Sequence, residues 1–376
     1  MKPQQFLLII IFSFIFFPLS PALCDQQSQP TTTVVPSPPS CESQSLLASL
    51  RVNSPIDFCG EKMPLDNPDV REQFEREMLL SLWNRPQVIL WLKRAGRYFP
   101  YIEDMLKKNN MPDDIKYVVI VESSLIAGSV SSKGAAGFWQ FIESTGVRYN
   151  LKINSDVDER RNFFASTQAA VQYLKDIHQL FKSWTLAAAA YNMGEEGLRA
   201  ESFIQKTKNF YFLNLPQETE RYIFKIVCAK LIISNPQSYG FCLAPEDIYK
   251  PLECDSVEFS CQSPIPVQLI AEAADTYFKV IKELNPEIRG YYLSSGKYSL
   301  LIPKASASRF YIKLKKLTDE WQAEKNKHTY IVKKGDNIYS IAKKFDVPVV
   351  AILIWNQRSG SKPLNPGEQL FIYHRN

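Results

Sequence analysis

The sequence predicts a mainly α body followed by two small α+β modules, each in the order strand–helix–helix–strand (βααβ). Three observations carry that prediction. Residues 66–235 place apolar side chains at helical spacing and contain few β signals. Residues 269–285 (LIAEAADTYFKVIKELN) align without gaps on residues 340–356 (SIAKKFDVPVVAILIWN), matching Ile270/Ile341, Ala271/Ala342, Asp275/Asp346, Ile281/Ile352 and Asn285/Asn356. Gly296 and Gly367 match at the same offset, and each precedes a β-rich run, YSLLIP and QLFIY.

Taken in order, residues 1–24 read as a secretory signal peptide. One early Lys precedes an apolar core from Phe6 to Phe17, and small residues and prolines follow. That core falls short of the roughly 20 residues needed to span a bilayer, and no other stretch could span. Cys24 stands where a lipidated cysteine would give membrane attachment. Pro21-Ala22-Leu23 fits a lipid signal poorly, so ordinary cleavage near Ala22 or Cys24 competes. Residues 25–65 begin with a Pro/Thr/Ser/Gln-rich stretch and read as a disordered tether. The helical domain is expected over 66–245, with its motif core at 112–232. A first, divergent α+β module follows at 254–315, then a charged linker at 316–328 and a second module at 329–376. The second module has a Gly335-Asp336 turn, which the first lacks.

Composition excludes several classes. The chain is 45% hydrophobic and 22% charged, an ordinary globular balance, and its net charge of +5 is mild. No Lys/Arg-rich run or basic-aromatic stripe points to nucleic acid. The three histidines, His178, His328 and His374, are scattered. No Cys/His spacing, phosphate loop or nucleophile elbow is present, so neither a metal nor a cofactor is expected. Nothing speaks for oligomerisation, and a monomer is expected. Besides Cys24, six cysteines remain, which an exported chain could pair. The sequence-local pairings are Cys41/Cys59, Cys228/Cys242 and Cys254/Cys261, with a buried free thiol as the other reading of Cys228.

The chemistry centres on IVESSLIAGSVSSKGAAGFWQF, residues 120–141. A run of Val118, Val119, Ile120 and Val121 meets one carboxylate, Glu122, with no second acid beside it. Asp113 and Asp114 read as charges stabilising the helix start, while Glu143, Asp156 and Glu195 could approach only through the fold. Acid–base chemistry on a substrate bond commonly uses two side chains, an acid and a base. One can suffice if the substrate supplies the nucleophile, provided a poorly solvated site keeps the acid protonated. A capping or solvated Glu at a helix end is the alternative for Glu122 taken alone.

Four ordered blocks resolve that choice by resemblance. VESS supplies Glu122 and Ser123, and SSKGAAGFWQF supplies Ser131, Gly137 and Gln140. AAYNMGE supplies Tyr191, Asn192 and Gly194, and LPQETERYIFK supplies Glu218 and Tyr222. Together they resemble the lysozyme-like lytic transglycosylases of glycoside hydrolase family 23. Residues 329–373 resemble a LysM domain in Tyr330-Ile331-Val332, Gly335-Asp336, Ile341-Ala342, Asn356 and the closing NPGEQLFIY. DVDERRN (156–162) and this tail narrow the likeness to the membrane-bound D-type branch. Residues 257–303 look like a divergent LysM copy.

The resemblance implies a lysozyme-like fold acting on peptidoglycan glycan strands. In it, Glu122 serves first as acid and then as base, and the product carries a 1,6-anhydromuramic end. Tyr222 would orient Glu122, Gln140 and Asn192 would hold N-acetyl and hydroxyl groups, and Ser131 would reach the lactyl group. Tyr191 would present a face to the sugar or be a core aromatic. Ser123 would donate to the glutamate or cap the helix. Gly134, Gly137 and Gly194 read as turn residues, and Phe138 as a packing difference. LysM would hold the glycan. A hydrolytic muramidase and a non-catalytic wall-binding protein are the alternatives.

Overall fold

The computed structural model describes residues 46–51, 55–360 and 362–373. The leader, Cys24 and most of the Pro-rich tether lie outside them. The chain is mostly helical, with small two-stranded sheets. No helix among the described residues is long and apolar enough to cross a membrane.

The last part of the expected tether is folded. A single turn, α1 (Leu46–Ser49), precedes the hairpin β1 (Asp57–Phe58) and β2 (Glu61–Lys62). Its turn residues Cys59 and Gly60 both have positive φ, as a tight hairpin with right-handed strand twist requires. Ile56 and Phe58 enter the main core, so apolar burial overrides the polar composition upstream.

The body then runs through α2 (Pro68–Trp83), α3 (Arg85–Lys108), α4 (Val118–Ser123), α5 (Glu143–Arg148), α6 (Phe163–Phe181), α7 (Trp184–Met193), α8 (Glu195–Ile204) and α9 (Gln217–Ser234). In α2, Val70, Phe74, Met78 and Leu82 recur every four residues and are buried, the spacing of one helix face. Ala187 to Ala190 of α7 are all buried, which lets α6, α8 and α9 pack closely around it. The carboxylate of Glu61 accepts hydrogen bonds from Ser183 Oγ and from the amides of Trp184 and Thr185. It thereby satisfies the first free N–H groups of α7.

Asp113 and Asp114 do not open a regular helix. Asp113–Tyr117 is a 3-10 turn leading into α4. Asp114 accepts from the Cys59 amide and from Lys230 Nζ of α9, both at 2.7 Å. It is therefore a tertiary tie for the hairpin, more than a dipole partner.

A second core surrounds β3 (Cys254–Cys261), β4 (Ile265–Pro266), α10 (Val267–Ala273), α11 (Phe278–Leu284), β5 (Tyr292–Leu293) and β6 (Gly296–Pro303). Strands β3 and β6 pair antiparallel from Cys254↔Pro303 to Cys261↔Gly296. Residues 316–328, read as a linker, lie almost wholly within a 21-residue helix, α12 (Ala307–Lys327). Phe310 and Leu314 bury its first half in the second core, and Trp321 meets Phe371 edge-on at 4.9 Å. A third, small core is formed by β7 (Thr329–Ile331), α13 (Ile338–Phe345), α14 (Val349–Trp355) and β8 (Gln369–Phe371).

The internal repeat has a physical basis. Asn285 Nδ2 donates to the carbonyls of Ile281 and Leu301, and its Oδ1 accepts from the Leu301 amide. Asn356 makes the corresponding three bonds to Ile352 and Phe371. Each asparagine ties the second helix of its copy to the last strand. Asp275 and Asp346 both have φ near +50°, a conformation Asp tolerates better than most residues. Asp336 accepts from Tyr330 Oη and the Lys333 amide, both at 2.8 Å, which closes the Gly335-Asp336 turn of the second copy.

The expected disulfides are not formed. Cys59, Cys228, Cys254 and Cys261 are free thiols, whereas Cys242 is disulfide-bonded. Cys254 and Cys261 lie at opposite ends of one extended strand, roughly 23 Å apart at about 3.3 Å per residue. That span is beyond any disulfide. Cys228 is sealed in the main core on α9, as its alternative reading anticipated.

Candidate active site

Helix α4 is short because its end is reversed. Ser124 and Leu125 both have positive φ, and the chain turns into a long loop, residues 124–142. Glu122 lies in the last turn, just after the fully buried Val118, Val119 and Ile120. The reversal leaves its carboxyl at a cleft of about 640 Å³. That cleft is lined by Glu122, Ser131, Gln140, Tyr191, Asn192 and Tyr222, among others. Six of the seven candidate residues, distant in sequence, thus share one cavity. Ser123 does not line it. Ser123 is buried, and its Oγ donates to the Phe138 carbonyl at 2.6 Å, tying the loop back to α4.

Loop 124–142 is held by its own hydrogen bonds. Ala136 bridges Val130 and Phe141, and Ser131 Oγ accepts from the Ala135 amide at 3.0 Å. Gln140 has positive φ, and its Nε2 donates to the carbonyls of Ser129 and Gly137. Trp139 is fully buried, its Nε1 donating to Thr167 Oγ1 of α6 at 2.9 Å. Phe138 packs between the rings of Tyr98 and Phe163. Gly137 is more than a turn residue. At φ +82°, a Cβ there would lie 1.7 Å from the Arg160 carbonyl oxygen. The variant Gly137→Ala is expected to lose about 3 kcal/mol or more of stability, through both backbone strain and the clash. Denaturant unfolding would measure that loss.

The other side chains come from α7 and α9. Tyr191 Oη donates to the Trp139 carbonyl at 2.7 Å, and its ring leans on Phe141 and Tyr173. Tyr191 is therefore both cleft wall and packed aromatic. Asn192 Oδ1 accepts from Thr219 Oγ1 at 2.8 Å, a partner that sequence reasoning missed although Thr219 stands inside the ETERY block. Tyr222 is buried, and its hydroxyl donates to Glu122 Oε1.

Burial dominates the titration of Glu122 and pushes its pKa up to about 7. The hydrogen bond from Tyr222 and the charge of Lys225 oppose that rise, while the charge of Glu218 adds to it. Two further acids reach the cleft wall. Glu195 is engaged by Arg148 Nη2 at 2.7 Å and Tyr173 Oη at 2.8 Å. Although burial raises its pKa, those bonds hold it below the ordinary glutamate value. Glu218 is solvent-exposed and ion-paired with Lys133. Neither is hydrogen-bonded to Glu122. Glu143 opens α5 and Asp156 is bound to Ser294, so neither joins the cleft wall. The arrangement is one carboxyl poised to exchange a proton near neutral pH, with polar amides and an aromatic wall around the cleft.

Similarity to known proteins covers both the helical body and the last module. The transglycosylase SLT domain family matches residues 99–213, and the LysM domain family matches residues 330–372. Membrane-bound lytic murein transglycosylase D of Escherichia coli K12 is 31% identical over 334 residues, covering 84% of this chain and 72% of that protein. The same figures hold for its counterpart in E. coli O6:H1. The inactive-mutant structure of the lytic transglycosylase Slt from Pseudomonas aeruginosa covers 42% of this chain and 26% of its own, at 16% identity and a TM-score of 0.29. Fold and site thus define a lysozyme-like lytic transglycosylase with a LysM domain. The chain belongs to the membrane-bound lytic murein transglycosylase D family.

Proposed function

We propose that the chain cleaves the β-1,4 bond between N-acetylmuramic acid and N-acetylglucosamine of peptidoglycan without water, using Glu122 alone. The observation that carries this reading is the partly buried Glu122 at the cleft, with Tyr222 as its one hydrogen-bond partner among the described residues. With a pKa of about 7, much of the population is protonated at neutral pH. The Glu122 proton passes to the glycosidic oxygen as the bond from C1 to that oxygen breaks. The muramic 6-hydroxyl then closes onto C1 and returns its proton to the Glu122 carboxylate. Acid and base are one residue in sequence, and the enzyme ends as it began.

Supporting roles follow from reach and unused bonding capacity. Asn192 Nδ2 and Gln140 Oε1 have no protein partner among the described residues, which suits them to N-acetyl and hydroxyl groups. The exposed Ser131 hydroxyl suits the lactyl group, and Tyr191 offers a ring face. Tyr222 orients Glu122, and Ser123 positions the loop. The LysM domain at 330–372 holds the glycan, while the first module at 254–315 is a divergent LysM-like copy. Residues 1–24 direct export to the cell envelope, with ordinary cleavage near Ala22 or Cys24 and lipid attachment at Cys24 as the two competing readings, and the enzyme acts as a monomer.

Mass spectrometry of products from purified peptidoglycan tests the reaction. We expect 1,6-anhydromuramic ends, lighter by one water than hydrolysed ends. Reducing ends would instead make the protein a muramidase, and binding without turnover would make it a wall-binding protein.

A further inference from the structure

We propose that the first α+β module is a fixed part of the catalytic unit, and that its Arg289 acts through Asp158 and Arg160 as a positioning residue for the loop carrying Ser131 and Gln140. This rests on the function proposed above, under which that loop holds the sugar.

The module and the body share structure. Val157, from the loop between α5 and α6, is buried in the module's own core and bridges Ile288. The Asp158 amide donates to the Glu287 carbonyl at 2.8 Å, and the Arg289 amide to the Asp156 carbonyl at 2.7 Å. Asn162 Nδ2 donates to Glu287 Oε1 at 2.9 Å, and the Ser294 amide to Asp156 Oδ2 at 2.8 Å. A module joined by both backbone pairing and side-chain bonds does not swing freely.

A charged relay runs from this seam to the cleft. Asp158 is fully buried. Its carboxylate accepts from Arg160 Nε at 2.8 Å and Nη2 at 2.9 Å, and from Arg289 Nη2 at 2.9 Å. A buried carboxylate left short of donors is costly, and here guanidinium groups from body and module share it. Arg160 faces the catalytic loop. Its Nη1 donates to the carbonyls of Gly134 at 3.0 Å and Phe141 at 3.2 Å, and its own carbonyl occupies the space that Gly137 leaves open. Gly134 and Phe141 flank Gln140 and follow Ser131. Arg289 fixes the plane of the Asp158 carboxylate, which fixes the Arg160 fork, which sets the spacing across the loop.

The Arg289 side chain is 41% exposed, so Arg289→Ala lets water take the place of its guanidinium beside Asp158 Oδ2, which keeps its bond from Arg160 Nη2, and leaves both cores packed. In the full chain, Arg289→Ala is expected to raise KM for soluble peptidoglycan strands about tenfold while kcat stays within about threefold, because contacts that hold the sugar are loosened. Arg289→Lys, which keeps one charged donor, is expected to recover most of the loss. Hydrogen exchange should quicken in residues 129–141 of Arg289→Ala and stay unchanged in α9. A KM equal to wild type with unchanged loop protection overturns the proposal and leaves the module a passive neighbour. Faster exchange in α9 as well overturns it too, since the defect is then global. If wild-type protein forms no anhydro ends, the functional reading fails, whereas the exchange measurement still decides the coupling.

Discussion

Glu122→Gln is expected to lower turnover by about a thousandfold or more, the scale of a lost general acid and base, with the folded structure retained. Glutamine fills the same volume and still accepts from Tyr222, but it carries no exchangeable carboxyl proton. The same variant should be more stable than wild type at alkaline pH. The Glu122 carboxyl ionises near 4.5 when unfolded and near 7 when folded. Folding therefore favours its protonated form, and wild-type stability falls as pH rises from about 4.5 to about 7. Above that window the wild type carries an ionised carboxylate in a poorly solvated place. At about 1.4 kcal/mol per pH unit the penalty is at most roughly 3.5 kcal/mol, trimmed by cleft water at the carboxyl tip. Thermal unfolding at pH 8 and pH 4 should show the difference at the first and not at the second. An inactive variant with unchanged stability at both would mean that Glu122 is solvated and the pKa argument wrong.

Tyr222→Phe is expected to act in two opposed ways. The hydroxyl donates to Glu122 and favours its ionised form. Removing it raises the Glu122 pKa further, so the alkaline limb of the pH–rate profile moves above about 7. At the same time kcat falls, by roughly ten- to a hundredfold, the worth of a hydrogen bond to a charged group. The proton return step loses the donor that steadies the carboxylate. A pH–rate profile measures both. A fall in kcat with no shift of the limb would show that Tyr222 shapes the cleft without touching the acid.

Much of the fold was readable because periodicity reports burial directly. The four-residue recurrence in α2, the alanine run of α7 and the Asn285/Asn356 repeat each follow from contacts local to one element or one module. The readings that failed were those in which a distant partner decides. Residues 55–65 follow a polar tether, yet Ile56 and Phe58 bury themselves and Glu61 caps a helix more than a hundred residues away. Asp114 looked like a dipole charge and is a tie to Lys230. The linker is helical because Phe310 and Leu314 anchor its start. Cys254 and Cys261 are near in sequence and far apart on one strand, since a strand extends whatever it contains.

The site divides along the same line. Residue types in order, Glu122, Ser131, Gln140, Tyr191, Asn192 and Tyr222, were determined by the sequence, together with the kind of chemistry a lone acid can perform. The tertiary structure decided that Glu122 meets the cleft, that Tyr222 of α9 reaches it, and that Ser123 turns inward to hold Phe138. It also decided that Arg160 reaches the Gly134 and Phe141 carbonyls of the loop and shares Asp158 with Arg289 of the neighbouring module. The reason is physical. A side chain's identity sets what protons and hydrogen bonds it can offer, but its solvation and its partners belong to the packing of elements far apart in the chain.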